Sequence, residues 1–112
     1  MIRVGRGERI WVRDRPTDLR KGYAGLAGLV QQELGQDLVS GDLFLFVSRK
    51  RNGVKILRWD GSGLCIYSKR LARGRFAALW SRREGEQIRI TRRELSELLT
   101  GADVTRSVAW RK

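Results

Sequence analysis

The spacing of apolar residues divides the chain into short elements. Arg9-Ile10-Trp11-Val12-Arg13 reads as a brief strand, broken by Arg15-Pro16-Thr17, because proline cannot donate to a sheet ladder. From Leu19 the apolar positions Tyr23, Leu26, Ala27, Val30 and Leu34 follow in steps of three and four. That period predicts an amphipathic helix over about 18–34, with Thr17 as its N-cap and Gly35 as its stop. Asp42-Leu43-Phe44-Leu45-Phe46-Val47 is apolar on both faces, the pattern of a central strand covered on both sides. Val54 to Trp59 and Leu64 to Tyr67 are two more strands, joined by the turn Asp60-Gly61-Ser62-Gly63, and three antiparallel strands in a row make a meander. Arg70 to Trp80 fits either a further strand or an irregular basic arm. Gln87 to Ile90 is extended, and Thr91-Arg92-Arg93-Glu94 has the form of a capping box. It opens a short helix with Leu95, Leu98 and Leu99 on its apolar face and Gly101 at its close.

These elements sum to an α+β fold: a small, mainly antiparallel sheet packed by one long helix, with a short C-terminal helix. Over 112 residues, 41% of them hydrophobic, this is one domain. We expect it to span 1–101, with 102–112 a tail. No apolar run is long enough for a transmembrane helix, and the amino-terminal string has no secretory apolar core. The single cysteine cannot form an intramolecular disulfide. The expectation is a cytoplasmic protein, able to associate with the nucleoid and without a membrane partner.

Charge changes the picture. The chain carries 24 Lys plus Arg against 12 Asp plus Glu, a net +12. The excess lies almost wholly between Arg49 and Arg83. There Arg49, Lys50, Arg51, Lys55, Arg58, Lys69, Arg70, Arg73, Arg75, Arg82 and Arg83 face a single acid, Asp60. Concentrated positive charge repels itself, and a polyanion relieves that repulsion. Arginine, which dominates here, suits bidentate phosphate and base contacts. These eleven residues are therefore candidate nucleic-acid ligands, DNA before RNA. The bland reading is a solvated basic surface.

Other constellations are weaker. The absence of histidine removes His-based acid–base chemistry, His metal sites and Ser-His-Asp triads. One cysteine cannot build a structural zinc site, and Cys65, within a strand, reads as a small buried hydrophobe. No metal or cofactor is expected. Arg20 and Lys21 fall in the first turn of the first predicted helix, where cations oppose the macrodipole unless an anion sits there. Both join the candidate ligands. The alternative is that Asp18 simply pairs with one of them. Gly22, Gly25 and Gly28 would thin one helix face for close packing on the sheet, or on a partner. Trp59 and Phe76 read as core, and Asp60 as an Asx-turn residue.

Four strings occur in order: Thr17-Asp18-Leu19-Arg20-Lys21-Gly22 with Gly25-Leu26, Ser40-Gly41-Asp42-Leu43-Phe44-Leu45-Phe46, Lys55-Ile56-Leu57-Arg58-Trp59-Asp60-Gly61-Ser62-Gly63, and Lys69-Arg70-Leu71-Ala72-Arg73-Gly74-Arg75-Phe76. With them the chain resembles the transposition accessory protein B, the second open-reading-frame product, of bacterial insertion sequence family sixty-six. The resemblance runs from about Val4 to Leu99. Its motifs fall on Asp18, Arg20, Lys21 and Gly22, on Trp59, Asp60 and Gly63, and on Lys69, Arg70, Leu71, Gly74, Arg75 and Phe76. After Phe76 the chain departs from the family's usual Trp-Pro pair. The resemblance implies a non-catalytic helper of transposition, acting beside a large transposase and another small protein of the element. The leading expectation is DNA binding, at element ends or on a transposase–DNA complex. The alternatives are a protein–protein adaptor docking on the transposase and, remotely, a small basic ribonuclease working through Tyr67.

Overall fold

The computed structural model describes residues 2–80, 87–104 and the backbone of 109–111. The fold is α+β, built on one sheet. In chain order its elements are β1 (Ile10–Val12), α1 (Tyr23–Gln32), β2 (Leu43–Val47), β3 (Gly53–Trp59), β4 (Leu64–Arg70), β5 (Gln87–Ile90), α2 (Arg92–Leu98) and β6 (Ala109–Arg111). The spatial order of strands is β4-β3-β2-β1-β5-β6. Strands β2, β3 and β4 form the expected antiparallel meander, with Phe44 opposite Leu57 and Ile56 opposite Tyr67. Strand β5 pairs antiparallel with β1, and β6 with β5.

One pairing departs from this pattern. Strands β1 and β2 are parallel, Trp11 beside Phe44, and the intervening chain carries α1. Parallel neighbours need a crossover connection, which α1 supplies. Alternation then sorts side chains to two faces. Ile10, Val12, Leu43, Leu45, Val47, Val54, Ile56, Ile88 and Ile90 pack with Leu95, Leu98 and Leu99 of the α2 region. Trp11, Phe44, Phe46 and Leu57 point the other way, onto Leu26 and Val30 of α1. Every side chain of β2 is buried, as its two-faced apolar pattern requires.

Helix α1 is shorter than expected. Thr17 is not its cap. The Thr17 N–H bonds the Val47 carbonyl at 2.9 Å, and its buried hydroxyl lies 3.3 Å from an Arg13 guanidinium nitrogen. The chain thus stays tied to the end of β2, turns over Asp18–Lys21, and enters the helix at an extended Gly22 with no side-chain cap. Gly35, at φ 59°, follows the helix end as expected. The capping box of α2 is complete. Thr91 Oγ1 accepts from the Glu94 N–H at 3.1 Å, and Glu94 Oε1 accepts from the Thr91 N–H at 2.8 Å.

From Leu71 to Trp80 the chain is irregular rather than a strand, yet it is not a loose arm. Phe76, Ala77 and Leu79 are buried against the α2 face of the sheet.

A cationic end of the sheet as candidate site

Strand β2 runs into β3 through the turn Ser48–Gly53. Ser48 organises it. Its N–H bonds the Gly53 carbonyl at 3.0 Å, its carbonyl accepts from the Arg51 N–H at 2.9 Å, and its hydroxyl accepts from the Gly53 N–H at 3.1 Å. The Ser48 hydroxyl also bonds Asn52 Oδ1 at 3.2 Å. Arg51 takes φ 60°, a left-handed conformation that L-residues seldom adopt, so the turn is held by these bonds against local preference. Arg49 and Lys50 project from it, exposed.

The segment after β4 is brought to the same turn. Arg70 is in register with Gly53, the Leu71 N–H bonds the Asn52 carbonyl at 2.9 Å, and the Phe76 N–H bonds the Arg51 carbonyl at 2.6 Å. Phe76 is wholly buried and anchors the segment, while Gly74 at φ 77° lets it reverse. Arg70, Arg73 and Arg75 remain exposed. Six cations separated by up to 26 positions in sequence, Arg49 to Arg75, therefore stand at one end of the sheet. No ion pair among the described residues engages any of the six.

Two grooves flank this end. One, of about 430 Å³, lies between Pro16–Leu19 and Ser48, Arg49, Lys50 and Asn52. The other, of about 390 Å³, is lined by Arg51, Arg75–Ala78, Gly101 and Asp103. Asp18 borders the first groove and is clamped by Arg20, at 2.7 Å between guanidinium and carboxylate. The Arg20 side chain and backbone N–H hold the Asp18 carboxyl at a pKa of about 2. The pairing of Asp18 with Arg20, rather than a bare pair of cations in a first helical turn, thus describes this corner. Arg20 and Lys21 precede the helix altogether.

The rest of the basic run is dispersed. Lys55 lies on the α1 face, where Nζ donates to the Lys21 carbonyl at 3.0 Å. Lys69 lies on the α2 face and donates to the Leu99 carbonyl at 2.7 Å, satisfying an end group of that helix. Arg58 stands at the opposite end of the sheet, bonded to the Arg3 carbonyl and 4.0 Å from Glu8. Arg82 and Arg83 lie outside the described residues.

The remaining motif positions have structural explanations. Asp60 Oδ1 accepts from the Ser62 N–H at 2.9 Å and the Gly63 N–H at 3.0 Å, the expected Asx turn. These bonds, with that of the Ser62 hydroxyl, bring its pKa to about 2. Trp59, expected in the core, is only half-buried beside this turn and outside both core clusters, and Leu71 packs against the core. Cys65 corrects its expectation. It is exposed, because its end of β4 stands on the sheet margin beyond the cover of α2, and its thiol donates to Asp60 Oδ2 at 3.4 Å. The Asp60 contact pushes that thiol up from its ordinary pKa. The helix glycines also depart from close packing on the sheet. A Cβ at Gly22 or Gly28 would meet open space, and one at Gly25 would meet only the Lys21 stem at 3.1 Å. Sequence reasoning missed Ser48 and Asn52, whose signal was the Asn52-Gly53 dipeptide closing a polar turn between apolar strands.

Among the described residues no group of three or more His, Cys, Asp or Glu side chains could hold a metal ion. No described helix is long and apolar enough to cross a membrane.

Known proteins agree with the motifs. Residues 8–109 match the family model described as IS66 Orf2 like protein. The uncharacterized protein y4hO of Sinorhizobium fredii (strain NBRC 101917 / NGR234) is 40% identical over 103 residues, 92% of this chain and 88% of that one. The uncharacterized protein y4jC of the same strain is 35% identical over 106 residues, 95% of this chain and 89% of that one. No solved structure matches. The match spans β1 to α2, reaches the first residue of β6, and takes in both the cationic end and the Asp60 turn, so the chain belongs to the IS66 Orf2-like family of insertion-sequence accessory proteins.

Proposed function

We propose that the protein supports transposition by binding DNA, at element ends or within a transposase–DNA complex, through the cationic end of its sheet. The observation that carries this reading is the gathering of Arg49, Lys50, Arg51, Arg70, Arg73 and Arg75 at one end of the sheet without ion-pair partners among the described residues. Like charges held together cost free energy, and phosphates relieve it with release of condensed counterions. Arg20 and Lys21 extend the surface past the neighbouring groove. Lys55, Arg58 and Lys69 act mainly as structural ties, since each donates to a backbone carbonyl.

The test is binding of purified protein to labelled element-end DNA, scrambled duplex and single strands across a salt series. Reversal of Arg70, Arg73 and Arg75 to glutamate should abolish binding at moderate salt while leaving the fold intact by circular dichroism. Unchanged affinity in that variant would refute the assignment.

A second reading, an adaptor for the transposase, draws on one observation. Tyr23 is 54% exposed at the start of α1, beside Gly22, where an added Cβ would meet open space. Capture of the transposase that survives nuclease treatment and is lost with Tyr23→Ala would favour it.

A further inference from the structure

We propose that β4 is a self-association edge, along which two copies of this chain pair antiparallel to continue the sheet from one molecule into the other. Strand β4 is the outermost strand beside β3, and it runs seven residues, Leu64–Arg70. The ladder to β3 determines which of its backbone groups are spent. The Asp60 N–H bonds the Gly63 carbonyl, and the Leu71 N–H bonds the Asn52 carbonyl. In an antiparallel ladder bonded and non-bonded pairs alternate. Cys65, Tyr67 and Lys69 therefore turn their N–H and C=O toward β3, and Leu64, Ile66, Ser68 and Arg70 turn theirs outward. None of those four has a further bond among the described residues.

Natural edges of this length are usually blunted by proline, a bulge, inward charge or a covering segment. Here β4 has no proline, its register with β3 is unbroken, and its charges, Lys69 and Arg70, sit together at one end. That asymmetry selects the occupant. Parallel pairing would set Lys69 and Arg70 against their own copies. Antiparallel pairing about a two-fold axis at Tyr67 sets Arg70 opposite Leu64, Lys69 opposite Cys65, and Ile66 opposite Ser68. Every outward N–H and C=O of the strand then finds a partner. Tyr67, already packed against the α2-face core, meets its own copy and continues that core across the axis. The two Arg70 positions lie about 20 Å apart at 3.4 Å per residue, well beyond the screening length of about 8 Å at physiological salt. The repulsion between two copies is thus suppressed by salt, and self-association strengthens as salt rises. DNA binding weakens under the same change, so the two readings stand or fall separately.

The experiment is sedimentation of the full-length protein, free of nucleic acid, across the micromolar range at low and high salt. Two variants accompany it. Ser68→Pro removes an outward N–H but no bond to β3. Tyr67→Cys combined with Cys65→Ser places thiols across the axis at a non-bonded pair, where Cα atoms about 4.5 Å apart suit a disulfide. We expect a dimer favoured by salt, its loss in Ser68→Pro with the melting temperature of the dilute monomer unchanged, and an interchain disulfide in the double variant on mild oxidation. A monomer at every concentration and salt, a dimer indifferent to Ser68→Pro, or no cross-link in the double variant would each overturn the proposal.

Discussion

Asp60 shows how much one exposed carboxylate can organise. It closes the β3–β4 hairpin by accepting from Ser62 and Gly63, and it also accepts from the Cys65 thiol. Its pKa falls from 3.8 to about 2 on folding. A depressed carboxylate stabilises the fold above its unfolded pKa, and the contribution disappears as pH falls through the folded value. Thermal stability should therefore drop between about pH 4 and pH 2, and Asp60→Asn should flatten that part of the profile. Asp18, held near 2 by Arg20, adds to the same window. The contact acts on the thiol in the opposite sense. The reactive species is the thiolate, which Asp60 disfavours. Cys65 should therefore be alkylated in the native protein, because it is exposed, and faster in Asp60→Asn than in the parent. A thiol that reacts only after unfolding would contradict the exposed placement.

The elements differ in how local their causes are. Helix α2 begins at a capping box whose reciprocal bonds were legible in four residues, Thr91 to Glu94. Thr91→Ala should cost about 1 kcal/mol in denaturant unfolding. Helix α1 has no such cap, and it starts at Tyr23 rather than near Asp18 because Thr17 is bound to the sheet instead. With open space at Gly28, alanine there should raise stability by roughly 0.5–1 kcal/mol. Loss of transposition support in that more stable variant would show that the thin helix face is kept for a partner. The hairpin, the meander and the doubly buried β2 were each readable from alternation and turn residues. The parallel pairing of β1 with β2 was not, since a three-residue strand carries no sign of which neighbour it will join.

For the molecule as a whole, charge placement outweighs charge total. A net of +12 motivates the proposal of a polyanion partner, but the fold commits part of that charge to internal tasks. With the six cations of this end making the contacts, log affinity against log salt should have a slope of magnitude about 5, near 0.9 per phosphate neutralised, rising to about 7 where Arg20 and Lys21 join them. Removing Arg73 and Arg75 should lower that magnitude by about 2. Lys69→Ala should leave the slope nearly unchanged and reduce stability instead, because it strips a partner from the Leu99 carbonyl at the end of α2.

Whatever depends on near neighbours was already legible in the chain. Apolar period, turn glycines, the Asx turn at Asp60 and the capping box at Thr91 act over a few residues, and the α+β class follows from their sum. The family could be read at the same level, because its motifs are contiguous strings. Which distant residues meet was settled only by folding. The run from Arg49 to Arg83 looked like one basic segment. Strand register carried Arg70 back to Gly53, left Arg58 at the far end of the sheet, and turned Lys55 and Lys69 to opposite faces. Packing also left Cys65 exposed, since burial depends on what covers a strand and not on the strand's own residues. The physical reason is the same in each case. Hydrogen-bonded pairing and the packing of two faces act between residues tens of positions apart, and no local pattern encodes the outcome.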